Sequence, residues 1–418
     1  MLRRVRVQNF LSLRDTTVDL APFNVFIGPN ASGKSAFFRS LTTLAKLLRV
    51  PLRGPRQAEF EIERGVTLDD VVWGGDDTLP ICFEVWFEGA LQDEPGYTLE
   101  LRKVAPGWSV VRERMLLGDK WLDSAERPFE HPTEFQGTVT WRIPYHGTLS
   151  ALSGRYRRDQ DAMPFIVPLM ELAGRIGAIW RYRPSAEDIA SFVSPRLRER
   201  DETSLLMSRP TQREFEPYLG PSGQGLAWVL RKLQGQDRVI FGKIEQELHH
   251  LFDHIDSINF EEKGLGVRLA FTTTRSTRVV PAPLESDGVL HSLFLLYRLY
   301  TGGPGMSFCL EEPENGTHPY LLEGRYKLLK RFAARESAVR TNHLLVATHS
   351  PDLLTAIESP QEAVDVVRVV ERDPQEGTKI HRLGDSEEVE LLLEAFRGNV
   401  GELWWSGAIG GTPPVPHG

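Results

Sequence analysis

One stretch of the chain carries residues that suit the binding of phosphate groups. It follows the pattern G-x-x-x-x-G-K-S/T, and its members are Gly28, Pro29, Asn30, Ala31, Ser32, Gly33, Lys34 and Ser35. In such a loop the glycines let backbone N–H groups approach phosphate oxygens, the lysine reaches the β and γ phosphates, and the serine hydroxyl is a ligand of Mg²⁺. The pattern therefore predicts a site for a nucleoside triphosphate with Mg²⁺, and the flanking elements disfavour the alternative of a ligand-free turn.

A second stretch offers carboxylates at the end of an apolar run. Ser307 to Leu310 predicts a buried strand, and Glu311, Glu312, Pro313 and Glu314 follow it directly. Phosphoryl transfer needs one carboxylate near the metal ion and a group that polarises the attacking water. We expect Glu311 to serve the metal and Glu312 to act as the catalytic residue on the water. Taken alone, these residues would also fit a solvated acidic turn, and the phosphate loop favours the functional interpretation.

A histidine follows another apolar run, from Leu344 to Thr348. At the end of a strand the imidazole of His349 would contact a γ phosphate or the attacking water. We therefore count His349 with Lys34 and Glu312 among the candidate catalytic residues. A single histidine at a strand end is more often structural, so both interpretations stay open at this point.

A third segment combines a small and an acidic residue at the start of a helix. Ser286, Asp287 and Gly288 precede apolar residues at helical spacing, among them Leu290 and Leu293. Ser286 or Asp287 would cap this helix, and the N–H groups of a helix N-terminus also bind phosphate. The two roles are compatible, and the residue types do not distinguish between them.

Apolar periodicity predicts the elements that must position these candidates. The expected strands are Leu2 to Phe10, Phe23 to Ile27, Ile81 to Phe87, Tyr97 to Val104, Trp108 to Leu116, Thr138 to Tyr145, Ser307 to Leu310, His343 to Thr348 and Val364 to Val370. The expected helices are Lys34 to Arg49, Met163 to Trp180, Leu226 to Leu233, Ile240 to Phe252, Ser286 to Tyr300 and Leu391 to Phe396. The candidates thus fall at strand ends, where open α/β sheets place their ligands.

These elements predict an α/β fold with an antiparallel β lobe and a helical insert. We divide the chain into an N-terminal lobe that holds the phosphate loop and the antiparallel sheet (1–150), a helical insert (151–256), and a C-terminal α/β lobe with the other candidates (257–418). The tail from Gly410 to Gly418 is rich in glycine and proline and is expected to be disordered.

Composition limits the classes of partner. The chain has 418 residues with 49 Lys and Arg against 57 Asp and Glu, a formal net charge of −8, which disfavours coating of nucleic acid by charge alone. A hydrophobic share of 41% is typical of soluble globular proteins and excludes a wholly disordered chain. Cys82 and Cys309 have no metal-binding spacing, and neither a secretory signal nor a membrane-spanning run is present. We expect a cytoplasmic protein with no membrane partner.

Two weaker features concern contacts with partners. Arginines interleave with other residues at Arg155 to Arg158, Arg181 to Arg183 and Arg196 to Arg200, which would suit a groove for nucleic acid. Nearby acidic residues make a solvated face the stronger interpretation. Trp404 and Trp405 would anchor a partner or pack on their own core, and packing is the commoner outcome.

The order of the motifs along the chain carries a family resemblance. Phosphate loop, Ser286-Asp287-Gly288, Glu311-Glu312-Pro313-Glu314 and Thr348-His349-Ser350 together resemble the ATP-binding-cassette (ABC) type ATPases of the RecF, SMC and OLD group, and specifically the OLD-like AAA family ATPases. The resemblance covers most of the chain, including Leu2 to Lys34 and Tyr218 to Leu230. Glu311 stands where transporter-type and SMC-type relatives carry Asp, and the OLD-like branch commonly has Glu there.

This resemblance implies an ABC-type P-loop head that hydrolyses ATP with Mg²⁺. Two heads would sandwich ATP, so the chain would form a homodimer or a higher homo-oligomer. Ser286 and Gly288 would then contact the nucleotide bound by the partner chain, His349 would be the switch histidine, and Asn315 to His318 would cross to the other protomer. The family's metal-contacting glutamine is not assigned, since Gln57 is only near the expected place and Val71 to Gly75 contains no glutamine.

The resemblance also bears on what the chain works with. Full-length OLD proteins add a C-terminal TOPRIM nuclease, but no Asp-x-Asp follows Glu371-Arg372-Asp373 here, so we expect no nuclease in this chain. A separately encoded effector, such as a nuclease, would then act with it in anti-phage defence or DNA maintenance. A RecF-like repair ATPase that binds DNA directly and a scaffold that binds ATP without hydrolysing it stay open as alternatives. The lack of an LSGGQ signature disfavours a transporter subunit.

Overall fold

Two six-stranded sheets form the framework of the protein, which we describe from a computed structural model. The structure describes residues 2–49, 61–63, 65–88, 94–104, 107–117, 120–123, 176, 178–193, 219–264, 266–274, 276–302, 306–334, 343–385 and 388–409. Several sequence predictions lie outside these residues: the strand Thr138 to Tyr145, the arginine stretches at Arg155 and Arg196, Gln57 and the C-terminal tail.

The strands are β1 (Leu2–Phe10), β2 (Leu13–Asp19), β3 (Phe23–Ile27), β4 (Glu61–Glu63), β5 (Val66–Thr67), β6 (Ile81–Phe87), β7 (Tyr97–Val104), β8 (Gly107–Leu117), β9 (Lys120–Asp123), β10 (Ile179–Tyr182), β11 (Ile255–Lys263), β12 (Gly266–Thr273), β13 (Ser276–Pro281), β14 (Ser307–Glu311), β15 (His343–Thr348), β16 (Val367–Asp373) and β17 (Gly377–Arg382). The helices are α1 (Lys34–Arg49), α2 (Ala186–Ala190), α3 (Leu226–Gln236), α4 (Arg238–Leu251), α5 (Asp287–Thr301), α6 (Pro319–Ala333), α7 (Pro351–Leu354), α8 (Pro360–Val366), α9 (Val389–Ala395) and α10 (Val400–Trp405).

A largely parallel sheet in the order β10-β14-β15-β3-β16-β17 carries the candidate residues. The first five of these strands run parallel to one another, and β17 is antiparallel to β16. Every residue of β3, β14 and β15 is buried, as expected for a parallel sheet that is covered on both faces. Since parallel strands end at the same edge, the segments that follow β3, β10, β14 and β15 meet there.

Helix α1 lies between this sheet and the antiparallel one. The rings of Phe37 and Phe38 lie 5.5 Å and 5.3 Å from the ring of Phe26 on β3, and all three are buried in one cluster with Val7 of β1. On the opposite face of the parallel sheet, Val25 belongs to a second cluster with α5. The alternation of side chains along β3 therefore connects both cores to the strand that precedes the phosphate loop.

The antiparallel sheet has the order β2-β1-β6-β7-β8-β9. Its strand β2 is not among the strands that the sequence analysis predicted. Thr16 and Val18 alternate inward along β2, and Arg4 and Arg6 of β1 form ion pairs with its carboxylates at 2.6 Å and 2.7 Å. The sequence analysis missed this strand because only a few of its residues alternate between buried and exposed, and the outward ones are mostly charged or polar.

Two other predicted elements need correction. The helix predicted from Met163 to Trp180 lies outside the described residues up to position 175, and its end is wrong, since Ile179–Tyr182 is β10, which pairs with β14. Val364 to Val370 was predicted as one strand, but helix α8 ends at Val366 and β16 begins at Val367. In both places a short apolar run has no clear periodicity, and pairing within the sheet decides its conformation. Within the described residues, no helix is both long and apolar enough to cross a membrane.

One buried histidine makes the stability of this framework depend on pH. His343, at the start of β15, accepts a hydrogen bond from the backbone N–H of Leu2 at Nε2 (3.2 Å), and its Nδ1 lies 3.2 Å from the carbonyl oxygen of Ala21. Burial lowers the pKa of His343 to about 4, despite the Ala21 contact, which raises it. The unfolded chain, with a pKa near 6.5, therefore binds a proton that the folded chain rejects between about pH 6.5 and pH 4.

We expect this histidine to cause a loss of stability as the pH falls through that window. In His343→Gln, whose amide keeps a donor and an acceptor, the free energy of unfolding should fall less between about pH 7 and pH 4.5, by on the order of 2 kcal/mol. Urea unfolding at the two pH values measures the difference, and His250→Gln on the exposed face of α4 is the matched control. Equal slopes for wild type and His343→Gln would contradict the prediction.

Candidate functional site

A cavity of about 410 Å³ opens at the carboxyl edge of the parallel sheet. Its walls include Asn30 to Ser35 from the loop between β3 and α1, Glu311 and Glu312 at the end of β14, and His349 after β15. The structure thus brings together three groups of predicted site residues from distant parts of the sequence.

The phosphate loop has a conformation that depends on its glycines. Gly33 has φ +116°, and a Cβ there would overlap the side chain of Thr378 on β17. The Thr378 hydroxyl donates a hydrogen bond to the Ser32 carbonyl oxygen (2.8 Å), and its backbone N–H donates to the Ser12 carbonyl oxygen (2.7 Å). A Cβ on Gly28 would likewise overlap the carbonyl oxygen of Val370 on β16. The last two strands of the sheet therefore fix the shape of the loop, a role that sequence analysis did not foresee.

Lys34 points back into this loop. Its Nζ donates hydrogen bonds to the carbonyl oxygens of Gly28 (2.6 Å) and Pro29 (2.9 Å). Burial lowers the pKa of Lys34 to about 8, although the carboxylates of Glu312, Glu314 and Glu311 act to raise it. A triphosphate in the cavity would supply the negative charge that the buried ammonium group lacks.

Glu311 is the last residue of β14 and only 3% exposed. Its Oε2 accepts a hydrogen bond from the Ser35 hydroxyl at 3.1 Å, across a separation of 276 positions in the sequence. Its Oε1 accepts a hydrogen bond from Nε of Arg181 at 2.5 Å, and Arg181 also pairs with Glu63. Arg181 therefore lies on a carboxylate of the site, and the hypothesis of a nucleic-acid groove around Arg181 to Arg183 finds no support in these contacts.

Glu312 adopts a backbone conformation that is uncommon for a residue with a side chain. Its φ is +50°, and its backbone N–H donates to the Ala347 carbonyl oxygen at 2.8 Å, which ties it to β15. The carboxylate accepts hydrogen bonds from Nδ2 of Asn315 (2.7 Å) and from Nη2 of Arg183 (3.3 Å). These bonds orient Glu312 at the cavity wall, and a reaction on its carboxylate would have to exchange them.

His349 lines the cavity with an exposed ring, and its backbone is fixed by Glu314. The Thr348 hydroxyl (2.8 Å) and the His349 backbone N–H (3.3 Å) both donate to Oε1 of Glu314. The ring Nδ1 lies 3.9 Å from the same oxygen. Glu314, which sequence analysis did not assign, thus connects the end of β14 to the end of β15.

Ser286 and Gly288 do not line this cavity within the part of the chain that the structure describes. Ser286 is the N-cap of α5, and its hydroxyl accepts a hydrogen bond from the Val289 N–H at 3.3 Å, so the capping role is present. A Cβ on Gly288 would overlap the Gly316 carbonyl oxygen. The start of α5 is therefore packed against the turn that follows Glu312, away from the chain's own phosphate loop.

Two buried side chains strengthen that packing. Arg325, 2% exposed, donates hydrogen bonds to the carbonyl oxygens of Pro313 and Gly288. His291 Nδ1 lies 2.8 Å from the Asn315 carbonyl oxygen. Burial lowers the pKa of Arg325 to about 10, although Glu314 acts to raise it, and burial also lowers the pKa of His291. The first turns of α5 and the turn after Glu312 thus form one connected unit.

The oxygen atoms at Ser35 and Glu311 fit Mg²⁺. A hydroxyl and a carboxylate oxygen 3.1 Å apart are hard ligands, and Mg²⁺ is usually held by one or two such groups together with substrate phosphates and water. Among the described residues, no group of three or more His, Cys, Asp and Glu side chains could hold a metal by itself. The family's glutamine stays unassigned, although Val72 of the Val71 to Gly75 segment does line the cavity.

Comparisons with known proteins agree with this arrangement. A family model described as "AAA domain, putative AbiEii toxin, Type IV TA system" matches residues 169–355, and one described as "AAA ATPase domain" matches residues 1–67. A search of curated proteins found no match. Together with the motifs, the two family matches support a place among the P-loop ATPases.

Solved structures of SMC heads align with most of the chain. An SMC head bound to the C-winged helix domain of ScpA aligns with 93% of this chain and 99% of that chain, at 12% identity and a TM-score of 0.51. The SMC head domain from Thermotoga maritima aligns with 91% of this chain and 98% of its own, at 12% identity and a TM-score of 0.41. A third structure is an SMC head with an extended coiled coil, bound to the C-terminal domain of ScpA and derived from Pyrococcus furiosus. It aligns with 95% of this chain and 99% of its own, at 10% identity and a TM-score of 0.43.

The first of these alignments shows the fold. The predicted ABC-type P-loop head, with an antiparallel β lobe and a helical insert, is confirmed. The family matches and this fold support the ABC- and SMC-like group, while the OLD-like branch stays a prediction, as does the division of the chain at residues 150 and 256.

The lowered pKa of Lys34 predicts how ATP binding depends on pH. The ammonium form, which attracts phosphate, is lost as the pH rises through about 8. The dissociation constant for ATP should therefore rise by about tenfold between about pH 7.5 and pH 9. Calorimetric titration measures it, with Lys34→Ala as the variant that should bind weakly and without this pH dependence. A flat profile in wild type, or the same slope in both proteins, would contradict the assignment.

Proposed function

We propose that this protein binds ATP with Mg²⁺ and hydrolyses it. The observation that carries the proposal is the contact between Ser35 Oγ and Glu311 Oε2 at 3.1 Å, which joins the phosphate loop to the acidic strand end in one cavity. Chance resemblance to the loop pattern would not place a buried carboxylate opposite its serine. The cavity volume of about 410 Å³ is in the range of ligand sites.

Binding of the triphosphate would use the loop and the start of α1. The N–H groups of the loop and of the helix N-terminus would face the phosphates, and Lys34 would exchange its carbonyl partners for phosphate oxygens. Ser35 and Glu311 would hold Mg²⁺, which neutralises charge on the phosphate oxygens when it is bound.

Glu312 would orient and polarise the attacking water. Its carboxylate lines the cavity, and His349 lies on the neighbouring strand end, within reach of the same space. The bonds from Asn315 and Arg183 hold the Glu312 carboxylate. Because Asn315 belongs to the turn that packs on α5, a contact at α5 has a direct physical route to the catalytic carboxylate.

A second copy of the chain would complete the site. Ser286 is exposed at the start of α5, and Leu284, two residues before it, is 75% exposed. Tyr320, the second residue of α6, is 73% exposed. The exposure of Ser286 supports a head dimer in which Ser286 contacts the γ phosphate bound by the partner chain. The same contact for Gly288, which is buried, rests on the resemblance alone. Hydrolysis would then open the dimer and reset a conformational signal.

The signal would pass to a separately encoded effector. This part of the proposal rests on the resemblance to OLD-like ATPases, in anti-phage defence or DNA maintenance, and on analogy with SMC heads, one of which is bound to a domain of ScpA. Salt-sensitive, ATP-dependent binding of DNA by the isolated chain would instead favour the RecF-like alternative.

Glu312→Gln tests the hydrolytic role. The amide keeps the shape of the side chain but cannot accept a proton, so turnover should fall by at least about 100-fold while ATP stays bound. Phosphate release and nucleotide retention measure the two effects, and Glu323→Gln, which changes a 66% exposed carboxylate on α6, is the matched control. Equal turnover in wild type and Glu312→Gln would contradict the catalytic role of Glu312. Absence of turnover in wild type would favour the alternative of a scaffold that binds ATP without hydrolysing it.

Ser286→Arg tests the dimer. In the Glu312→Gln background, where ATP should trap the closed pair, the added side chain should block closure and leave monomers that still bind ATP. Sedimentation velocity with and without ATP measures this, and Val239→Arg at a 69% exposed position on α4 is the control. Dimers that persist in Ser286→Arg would show that the interface lies elsewhere.

A further inference from the structure

Arg181 occupies an unusual place for an arginine in a phosphate site. It lies on β10, the edge strand next to β14, with its side chain only 16% exposed. Its Nε donates to Oε1 of Glu311 at 2.5 Å, and its Nη1 donates to Oε1 of Glu63 at 2.5 Å. The planar guanidinium therefore bridges two carboxylates with donors held in a fixed fork, which a lysine ammonium group lacks.

The contacts of Arg181 form part of a closed ring. Glu63 also accepts hydrogen bonds from Nε (3.1 Å) and Nη2 (3.2 Å) of Arg39. Arg39 lies on α1 one turn after Ser35, and Ser35 donates to the other oxygen of Glu311. The path from Ser35 through Glu311, Arg181 and Glu63 thus returns to the helix on which it began, with two positive and two negative charges.

The need for Arg181 follows from the burial of Glu311. A buried carboxylate without a partner is strongly unfavourable, and each of its oxygens here has one described partner, Arg181 on Oε1 and Ser35 on Oε2. A glutamate also has one more rotatable bond than an aspartate, so the direction of its carboxylate has to be fixed by contacts. Burial acts to lower the pKa of Arg181, but Glu311 and Glu63 raise it overall, so the guanidinium stays charged.

We infer that Arg181 is a positioning residue, which holds Oε1 of Glu311 so that Oε2 faces Ser35 and the metal side of the cavity. This inference rests on the proposed binding of Mg²⁺ with ATP. It extends that proposal by assigning a role to β10, a strand that contributes none of the predicted site residues.

Positioning and simple charge neutralisation predict opposite effects on the metal. If Arg181 only cancelled the charge of Glu311, its removal would make the site more negative and Mg²⁺ would bind more tightly. If Arg181 positions Glu311, its removal frees the carboxylate to leave Ser35, and Mg²⁺ would bind more weakly. Loss of a group that orients a metal ligand typically weakens metal affinity by about 10-fold to 100-fold.

The test measures the metal requirement of nucleotide binding, without hydrolysis. In Arg181→Gln, the Mg²⁺ concentration for half-maximal binding of a non-hydrolysable ATP analogue should rise by about tenfold or more. Binding of the analogue without metal should stay within about twofold, because Lys34 and the loop are unchanged. Arg231→Gln, which removes an exposed pair with Glu262 between α3 and β11, is the control with no expected shift. An unchanged or lower Mg²⁺ requirement in Arg181→Gln would overturn the inference.

Two further variants separate positioning from folding. Arg181→Lys keeps the charge but not the two-pronged geometry, so it should fold stably and still need several-fold more Mg²⁺; a normal requirement in Arg181→Lys would also overturn the inference. Arg181→Gln combined with Glu311→Gln removes both charges, so thermal stability should recover relative to Arg181→Gln alone while the metal requirement stays high. If wild type binds the analogue with Mg²⁺ but never turns over ATP, the proposed hydrolysis fails while a raised requirement in Arg181→Gln still supports the role of Arg181.

Discussion

The site depends on one carboxylate that is buried inside the protein. Glu311 is 3% exposed, and a buried charge is tolerated only when its oxygens are paired. One partner, Arg181, comes from the edge strand, and the other, Ser35, comes from the first turn of α1. The hydrogen bonds to Glu311 therefore also bring together the phosphate loop, the end of β14 and the edge strand β10. The same hydrogen bonds that offset the burial of this carboxylate give it the position that the proposed metal site requires.

The remaining parts of the head support this arrangement from two sides. Thr378 on β17 holds the Ser32 carbonyl oxygen, so a late segment of the chain shapes the phosphate loop near its start. On the other side, Arg325 ties the start of α5 to the residues that follow Glu312. Through these contacts a change in the position of Glu312 would shift the start of α5. The proposed nucleotide-dependent signal between two chains requires such a connection.

The sequence predicted the elements whose residues show a clear local hydrophobic pattern. The strands Leu2–Phe10, Phe23–Ile27 and His343–Thr348 and the helix Lys34–Arg49 have the predicted bounds, because long alternating, apolar or helical runs dictate them. The motif residues Lys34, Glu311, Glu312 and His349 were recognised from type and spacing, and the sheet topology explains why they meet. Their roles stay predictions.

The contacts of Arg181 and Thr378 could not be predicted, since they depend on which strands become neighbours. Arg181 directly follows the helix that was predicted from Met163 to Trp180, and its charge suggested solvent or nucleic acid. Only the pairing of β10 with β14 places it on Glu311.

The most direct test of the account is a calorimetric titration of the purified chain with ATP, in Mg²⁺ and after chelation with EDTA. The account predicts one ATP per chain, an affinity at least about tenfold weaker after chelation, and loss of that metal dependence in Ser35→Ala. No binding at millimolar ATP, or the same affinity with and without Mg²⁺, would contradict it.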